Sequence, residues 1–578
     1  MNAPIAGTRL ADPIEMQNRL FGELSRMFGA EVPMYDRSLL VNAACNRAVA
    51  DVLAIRFPGF AIDDAELERT SGERHGAIRI GRPDEYRWIA RFFACFGMRP
   101  HNFYDMSSVG AKSQPIIATA FRSTIGPEHR VFTSLLLTDY FDAATKARID
   151  AALADRSVFS EDAKTLVAAS ERDGGLSWSD AERLIREGVE RIFKWAGHAR
   201  ERALYDELCA GGFKIAADIA CFDSHHLNHL TPNTLCMDVY TAAMRHAMGD
   251  IDRAEFSRRA SDALAWLSAH ADASYLRLHF KHLGWSEIEG FGAVAVTRDA
   301  VHRTVEALAD RLLAEDLSMA KLPHNGFKDS TEGPSYDTPL LLRQDAYKAL
   351  TEPVVFADAD GGEAPSTHTA RFGEIEQRFY ATTTRGRALY DQCLAAAEAV
   401  KAQQPDLATR DYDAYVESYL SCFKAFPKTL RELLENGLVF GRYEPTPAGL
   451  AAAGTLDTAD LWTLVDRGFV RYDGLRYEDF LPVSAAGIFA SNLNQYGTSF
   501  TAETKPDYTR ADLEEIIGKP IVDAGDVYAG IEAASLVDAF ERLDVSDMVE
   551  NASELADCVA KAEREAGATF ARWATAHA

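Results

Sequence analysis

The stretch CFDSHHLNHLTPNTL, residues 221–235, sets three histidines, His225, His226 and His229, just ahead of Thr231 and Pro232. Its reading decides the fold. In a helix, His225 and His229 share a face at i, i+4 and make half of a zincin-like pair, but the H-E-x-x-H pattern is absent. Pro232 soon afterwards also disfavours a continuing helix. In an extended chain the side chains alternate, so His225 and His229 share a face and His226 lies opposite. The extended reading makes His229 the head of a short strand with His225 as its neighbour. Imidazole is the commonest ligand of divalent transition metals, so the partners of His229 are sought on other strands.

RHGAIRIG, residues 74–81, alternates apolar residues with His75 and Arg79 and reads as a strand. It too has a histidine at its head, and a duplicated βαβββ module would produce that echo. RFGEIEQRF, residues 371–379, places Glu374, Glu376 and Arg378 two apart on one face. Two imidazoles and one carboxylate form the facial triad of non-haem Fe(II) oxygenases, which leaves positions open for a bidentate 2-oxo acid and dioxygen. The candidate ligands are His75, His229 and a glutamate from EIEQR. Arg79, four residues after His75 on the same strand face, has a planar fork suited to a carboxylate.

The remaining chain narrows the function. With 578 residues, 47% hydrophobic and 26% charged, the composition is that of a globular protein. A net charge of −26 repels phosphate backbones, which argues against general nucleic-acid binding. There is no uninterrupted apolar run of ~18 residues and no basic-then-apolar leader, so a cytoplasmic chain without a membrane partner is expected. The eight cysteines include no C-x-x-C pair and read as reduced thiols. Glycine-rich phosphate loops and a G-x-S-x-G elbow are absent.

Periodicity predicts helices over 15–29, 83–98, 240–272 and 386–403, with a capping box of Ser179 and Glu182 opening another over 177–197. Strands are expected over 130–141, 290–297, 338–347 and 371–383. The expected organisation is an N-terminal helical segment 1–60 and a metal-binding core 61–400 with helical insertions near 145–215 and 240–325. A C-terminal domain 401–545 and a helical tail 546–578 follow.

ERHGAIRIG, NHLTP, LLRQ, HTARFGEIEQR, GRALYD and EDFLPVSAAGIF, in this order, resemble the 2-oxoadipate dioxygenase/decarboxylase (hydroxyglutarate synthase) family. That family is similar in fold to the vicinal oxygen chelate superfamily. The resemblance spans residues 15 to 545. It implies an α+β fold: a vicinal-oxygen-chelate-like βαβββ core with helical insertions and a C-terminal helical or mixed domain. It also implies Fe(II) held by His75, His229 and Glu374, with Glu376 as the competing carboxylate. Arg79 is implied to bind a substrate carboxylate, and Val483 and Ser484 to contact the substrate.

The implied reaction converts 2-oxoadipate and O2 to 2-hydroxyglutarate and CO2, a step of lysine degradation. The sequence departs from the family pattern at Asn233, where arginine is usual, at Phe379 and Tyr380, where small residues are usual, and in the extra chain after His229. These departures leave a different 2-oxo acid as an alternative substrate. A non-redox metal-dependent isomerase or lyase on the same scaffold is a second reading, and a non-catalytic binding module a third. Oxygen consumption with a 2-oxo acid separates the first from the second.

Overall fold

The computed structural model describes residues 10–107, 113–154, 156–281, 283–328, 330–357, 362–481, 507–567 and 570. Val483 and Ser484 lie outside the described residues. The first structural unit is β1 (Arg74–Ile80), a helix (Pro83–Ala94), β2 (Arg99–Asp105), β3 (Ile116–Arg122) and β4 (His129–Leu136). This is a βαβββ module with strand order β2-β3-β4-β1, in which β1 and β4 are parallel.

Local chemistry explains its helix. Pro83 is pre-set for the first turn and Asp84 and Glu85 favour the positive end of the dipole. Tyr86, Ile89, Ala90 and Phe93 then recur on one buried face.

Between the modules lie a string of helices and the short strand β5 (His198–Ala199). The second module begins with β6 (His229–Pro232) and the helix Met237–Met248. After a helical insertion come β7 (Leu342–Tyr347), β8 (Thr351–Ala357), β9 (Glu363–Thr369) and β10 (Gly373–Arg378). β10 pairs antiparallel with β7 and runs parallel beside β6 through an Asn233–Glu376 bridge. There the Thr234 N–H donates to the carbonyl of Glu376 at 2.8 Å. β6 and β10 thus repeat the parallel pairing of β1 and β4, while β8 and β9 leave to form a separate sheet with β5. The modules join edge to edge on the antiparallel pair β1–β6. The duplicated module inferred from the two histidine-headed strands is present in this form.

Two glycines allow the strands to meet this closely. A Cβ on Gly76 would sit 3.2 Å from the Leu230 side chain and 3.3 Å from the carbonyl of His229. At Gly373 a Cβ would lie 2.2 Å from the Tyr347 ring, so only hydrogen fits beside Glu374.

The helix Pro33–Arg56 is long and apolar enough to cross a bilayer by length and composition. Here it buries Val41, Cys45, Val49 and Val52 and packs against the helices Met237–Met248 and Arg298–Leu312. Toward the C-terminus, β11 (Gly441–Pro445) and β12 (Val470–Gly474) pair antiparallel, and the helix Ala524–Arg542 packs on β11.

Several local expectations differ from the structure: the helix expected over 240–272 is two, Met237–Met248 and Arg253–His270, and the strand expected over 338–347 begins at Leu342. Residues 290–297 form no strand; they are mostly exposed, and Val294 is tied back by Arg56 rather than to a sheet edge. The helix expected from Ser179 is capped two residues earlier, by Ser177 accepting from the Asp180 N–H. The expected strand 371–383 begins at Gly373 and stops at Arg378.

Candidate metal centre

β1, β6 and β10 bring polar side chains to a common face, with His75, His229 and Glu374 at its centre. The register sets Ala77 opposite His229 and His75 opposite Thr231, so the two histidines are diagonal neighbours across the β1–β6 pair. Their rings meet edge to face, with centroids 5.5 Å apart. From β10, Glu374 brings Oε2 to 3.1 Å from Nε2 of His75 and 3.3 Å from Nε2 of His229. The Thr231 hydroxyl donates to the same oxygen at 3.1 Å. All three residues are buried.

Glu376 shares this strand face with Glu374 but meets different partners. Its Oε2 lies 2.8 Å from Nδ1 of His75, behind the ring. Arg378 grips it with two hydrogen bonds, each 2.8 Å. A carboxylate at the far ring nitrogen fixes the tautomer and orientation of a ligand histidine. Arg378 also donates to the carbonyls of Tyr477 and Asp479 at 3.1 and 2.9 Å, which docks the segment Arg476–Leu481 over the site. Asp479 is held from the other side by Arg122 and by the Tyr528 hydroxyl. Phe480 then packs edge-on against His75 at 5.0 Å.

The donor set fits a divalent cation. His75 faces carboxylates at both ring nitrogens, and a neutral imidazole carries one N–H. In the neutral form that binds a metal, one of those contacts points a lone pair at an anion. Oε1 of Glu374 and Nδ1 of His229 are buried without hydrogen-bond partners. A cation among the two Nε2 atoms and Glu374 would take the Nε2 lone pairs and a Glu374 oxygen as ligands, leaving Nδ1 of His229 to carry the ring N–H. The charge environment differs between the two histidines. Burial pulls His229 down to about 4, against the pull of Glu374, so its ring is neutral at pH 7. Burial also lowers His75, but Glu376 and Glu374 outweigh it and raise the group. Burial raises Glu374, yet His229 and His75 leave it below the ordinary carboxylate range.

Arg79, on the same strand face as His75, is buried and pairs with Asp218 at 2.5 Å. Its positive charge adds to the lowering of His229. His225 is not the neighbour of His229 that alternation suggests. The strand starts only at His229, and His225 sits 3.4 Å from Glu85 instead. His226 joins Asp218 and His368 in a second buried group.

Several residues at the centre carry no clear sequence signal. Arg130 of β4 aligns with His75, but only the duplicated module could have drawn attention to it. Thr231 was within reach, being two residues after His229 on one strand face. Asp218 and His368 become neighbours only through tertiary folding.

The family model described as 2-oxoadipate dioxygenase/decarboxylase matches residues 20–263 and 250–492. The 2-oxoadipate dioxygenase/decarboxylase of Pseudomonas putida is 33% identical over 550 residues, covering 93% of this chain and 98% of the relative. That of Escherichia coli K12 is 30% identical over 536 residues, covering 90% and 97%. The structure of Pseudomonas putida hydroxyglutarate synthase in complex with 2-oxoadipate superimposes with a TM-score of 0.66 at 31% identity, over 93% of this chain and 99% of the other. On these matches, this chain belongs to the 2-oxoadipate dioxygenase/decarboxylase family.

Proposed function

We propose that the chain converts 2-oxoadipate and O2 to 2-hydroxyglutarate and CO2, using Fe(II) held by His75, His229 and Glu374. One observation carries the ligand assignment: Nε2 of His75 and Nε2 of His229 both turn to one oxygen of Glu374, within 3.3 Å. Membership of the family supports the reaction and the substrate. The two-histidine, one-carboxylate donor set supports iron, since it is the facial set of non-haem Fe(II) oxygenases. Fe(II) bound there supplies the one-electron chemistry that O2 requires.

The protein's part is to bind, orient and balance charge. Glu376 is neutralised by Arg378 and serves to hold His75 by Nδ1. Glu374 then offers one negative charge to a dication, and the carboxylate of a 2-oxo acid offsets the remaining positive charge. Arg79 takes the distal carboxylate of the substrate, bending its chain back toward the metal. Phe480 shields the His75 side of the site from water. Val483 and Ser484, outside the described residues, are the substrate-contacting pair that the family resemblance implies.

The reading is tested by anaerobic reconstitution with Fe(II), followed by oxygen-electrode assays on 2-oxo acids of graded chain length. Stoichiometric O2 uptake and CO2 release with 2-oxoadipate is expected. Turnover of 2-oxoadipate without O2 uptake would overturn it.

A further inference from the structure

The helix Lys214–Cys221 inserts one charged side chain, Asp218, into the core beside Arg79 of β1. All four acceptor sites of this carboxylate are engaged. Oδ2 accepts from Arg79 at 2.5 Å and from the Asn228 amide at 3.2 Å. Oδ1 lies 3.2 Å from Nε2 of His226 and 2.9 Å from Nε2 of His368. His368 is itself fixed through Nδ1, 2.8 Å from the Tyr205 hydroxyl, and Trp195 stacks on its ring. Asn228 ties the network to the metal centre: its N–H donates to Ala77 of β1, and its carbonyl accepts from Phe372, just before β10.

Asp218, His226 and His368 also bring three ligand atoms together in the manner of a second metal site. Charge decides against that reading. The guanidinium of Arg79 already sits on Asp218, so a dication on the other oxygen would be buried beside a fixed positive charge. Glu374 has no arginine partner among the described residues.

We infer that Asp218, clamped by His226 and His368, is the positioning residue that aims Arg79 at the distal carboxylate of the substrate. This rests on the role given to Arg79 above. Loss of the clamp leaves the metal ligands in place and removes the carboxylate that fixes the direction of the guanidinium.

The test compares Asp218→Asn, Arg79→Gln and the double variant as Fe(II)-loaded enzymes. Arg79→Gln is expected to raise KM for 2-oxoadipate, and Asp218→Asn to raise it at least about tenfold, with kcat within about threefold of the parent. The double variant should be no worse than Arg79→Gln alone. The Ki of 2-oxohexanoate, which lacks the distal carboxylate, should stay unchanged in all three, a result that general damage would not give. Metal content should remain one per chain. His368→Gln, which keeps the Asp218 carboxylate, should give an intermediate KM, and it serves as the test if Asp218→Asn does not fold. Normal KM in both Asp218→Asn and His368→Gln beside a raised KM in Arg79→Gln would refute the positioning role alone. Normal KM in Arg79→Gln would refute the carboxylate assignment and the inference with it. A second metal equivalent lost in Asp218→Asn would make this trio a metal site.

Discussion

Replacing Glu376 by glutamine separates the two glutamates that share one face of β10. Glu376 and Arg378 are both fully buried, and Arg378 holds the carboxylate by two hydrogen bonds of 2.8 Å. Removing one partner of such a pair costs about 3–5 kcal/mol, because the other charge stays behind unpaired. The glutamine carbonyl still accepts from Arg378, which recovers about 1 kcal/mol. A net loss of about 2–4 kcal/mol should appear as a lower thermal midpoint. Metal binding should weaken as well, since His75 loses the carboxylate at Nδ1. Such supporting partners are worth about 10–100-fold in metal affinity, or about 1.4–2.7 kcal/mol.

The assay is Fe(II) affinity by anaerobic chelator competition, run beside Glu374→Gln. Glu376→Gln should keep a measurable site weakened within that range, whereas Glu374→Gln should lose it. Adding Arg378→Leu to Glu376→Gln removes the stranded cation and should recover part of both losses. Tight Fe(II) binding by Glu374→Gln with none by Glu376→Gln would refute the assignment and make Glu376 the ligand.

Thr231→Val keeps the shape but removes the 3.1 Å hydrogen bond to Glu374; Fe(II) affinity should fall about fivefold, for a bond worth about 1 kcal/mol, with the melting curve unchanged. Gly373→Ala forces a methyl group into the Tyr347 ring and should cost about 1–3 kcal/mol, read as a lower thermal midpoint together with weakened metal binding. Glu532, in the helix Ala524–Arg542, is pushed up to about 7 by burial, against a hydrogen bond from the Gly441 N–H. The raised value favours the neutral acid in the fold. The stability it contributes is therefore full below the unfolded carboxyl range and is lost as pH climbs to 7, by at most about 3 kcal/mol. Glu532→Gln should consequently melt higher than the parent at pH 8 and alike at pH 5, in parallel melts at the two pH values.

How far the site can be read from sequence depends on which residues local periodicity governs. His75, Arg79, His229, Glu374 and Glu376 fall on one-sided strand patterns, and alternation placed each on its face. The same period of two cannot separate Glu374 from Glu376, because both point the same way. Their difference arises from depth along β10, where one meets the two Nε2 atoms and the other meets Arg378. His225 misled because the strand starts four residues later, leaving it in irregular chain. The apolar alternation of residues 290–297 found no sheet edge to join. Asp218 looks like any helical aspartate until His226, His368 and Arg79 converge on it from three other segments.

Anomalous diffraction at the iron edge, from crystals loaded anaerobically with Fe(II) and 2-oxoadipate, tests the central claim most directly. The account predicts one peak per chain, bounded by His75, His229 and Glu374, with the 2-oxo acid against its open side and the distal carboxylate on Arg79. A peak at Asp218, His226 and His368, or one coordinated by Glu376 in place of Glu374, would contradict it.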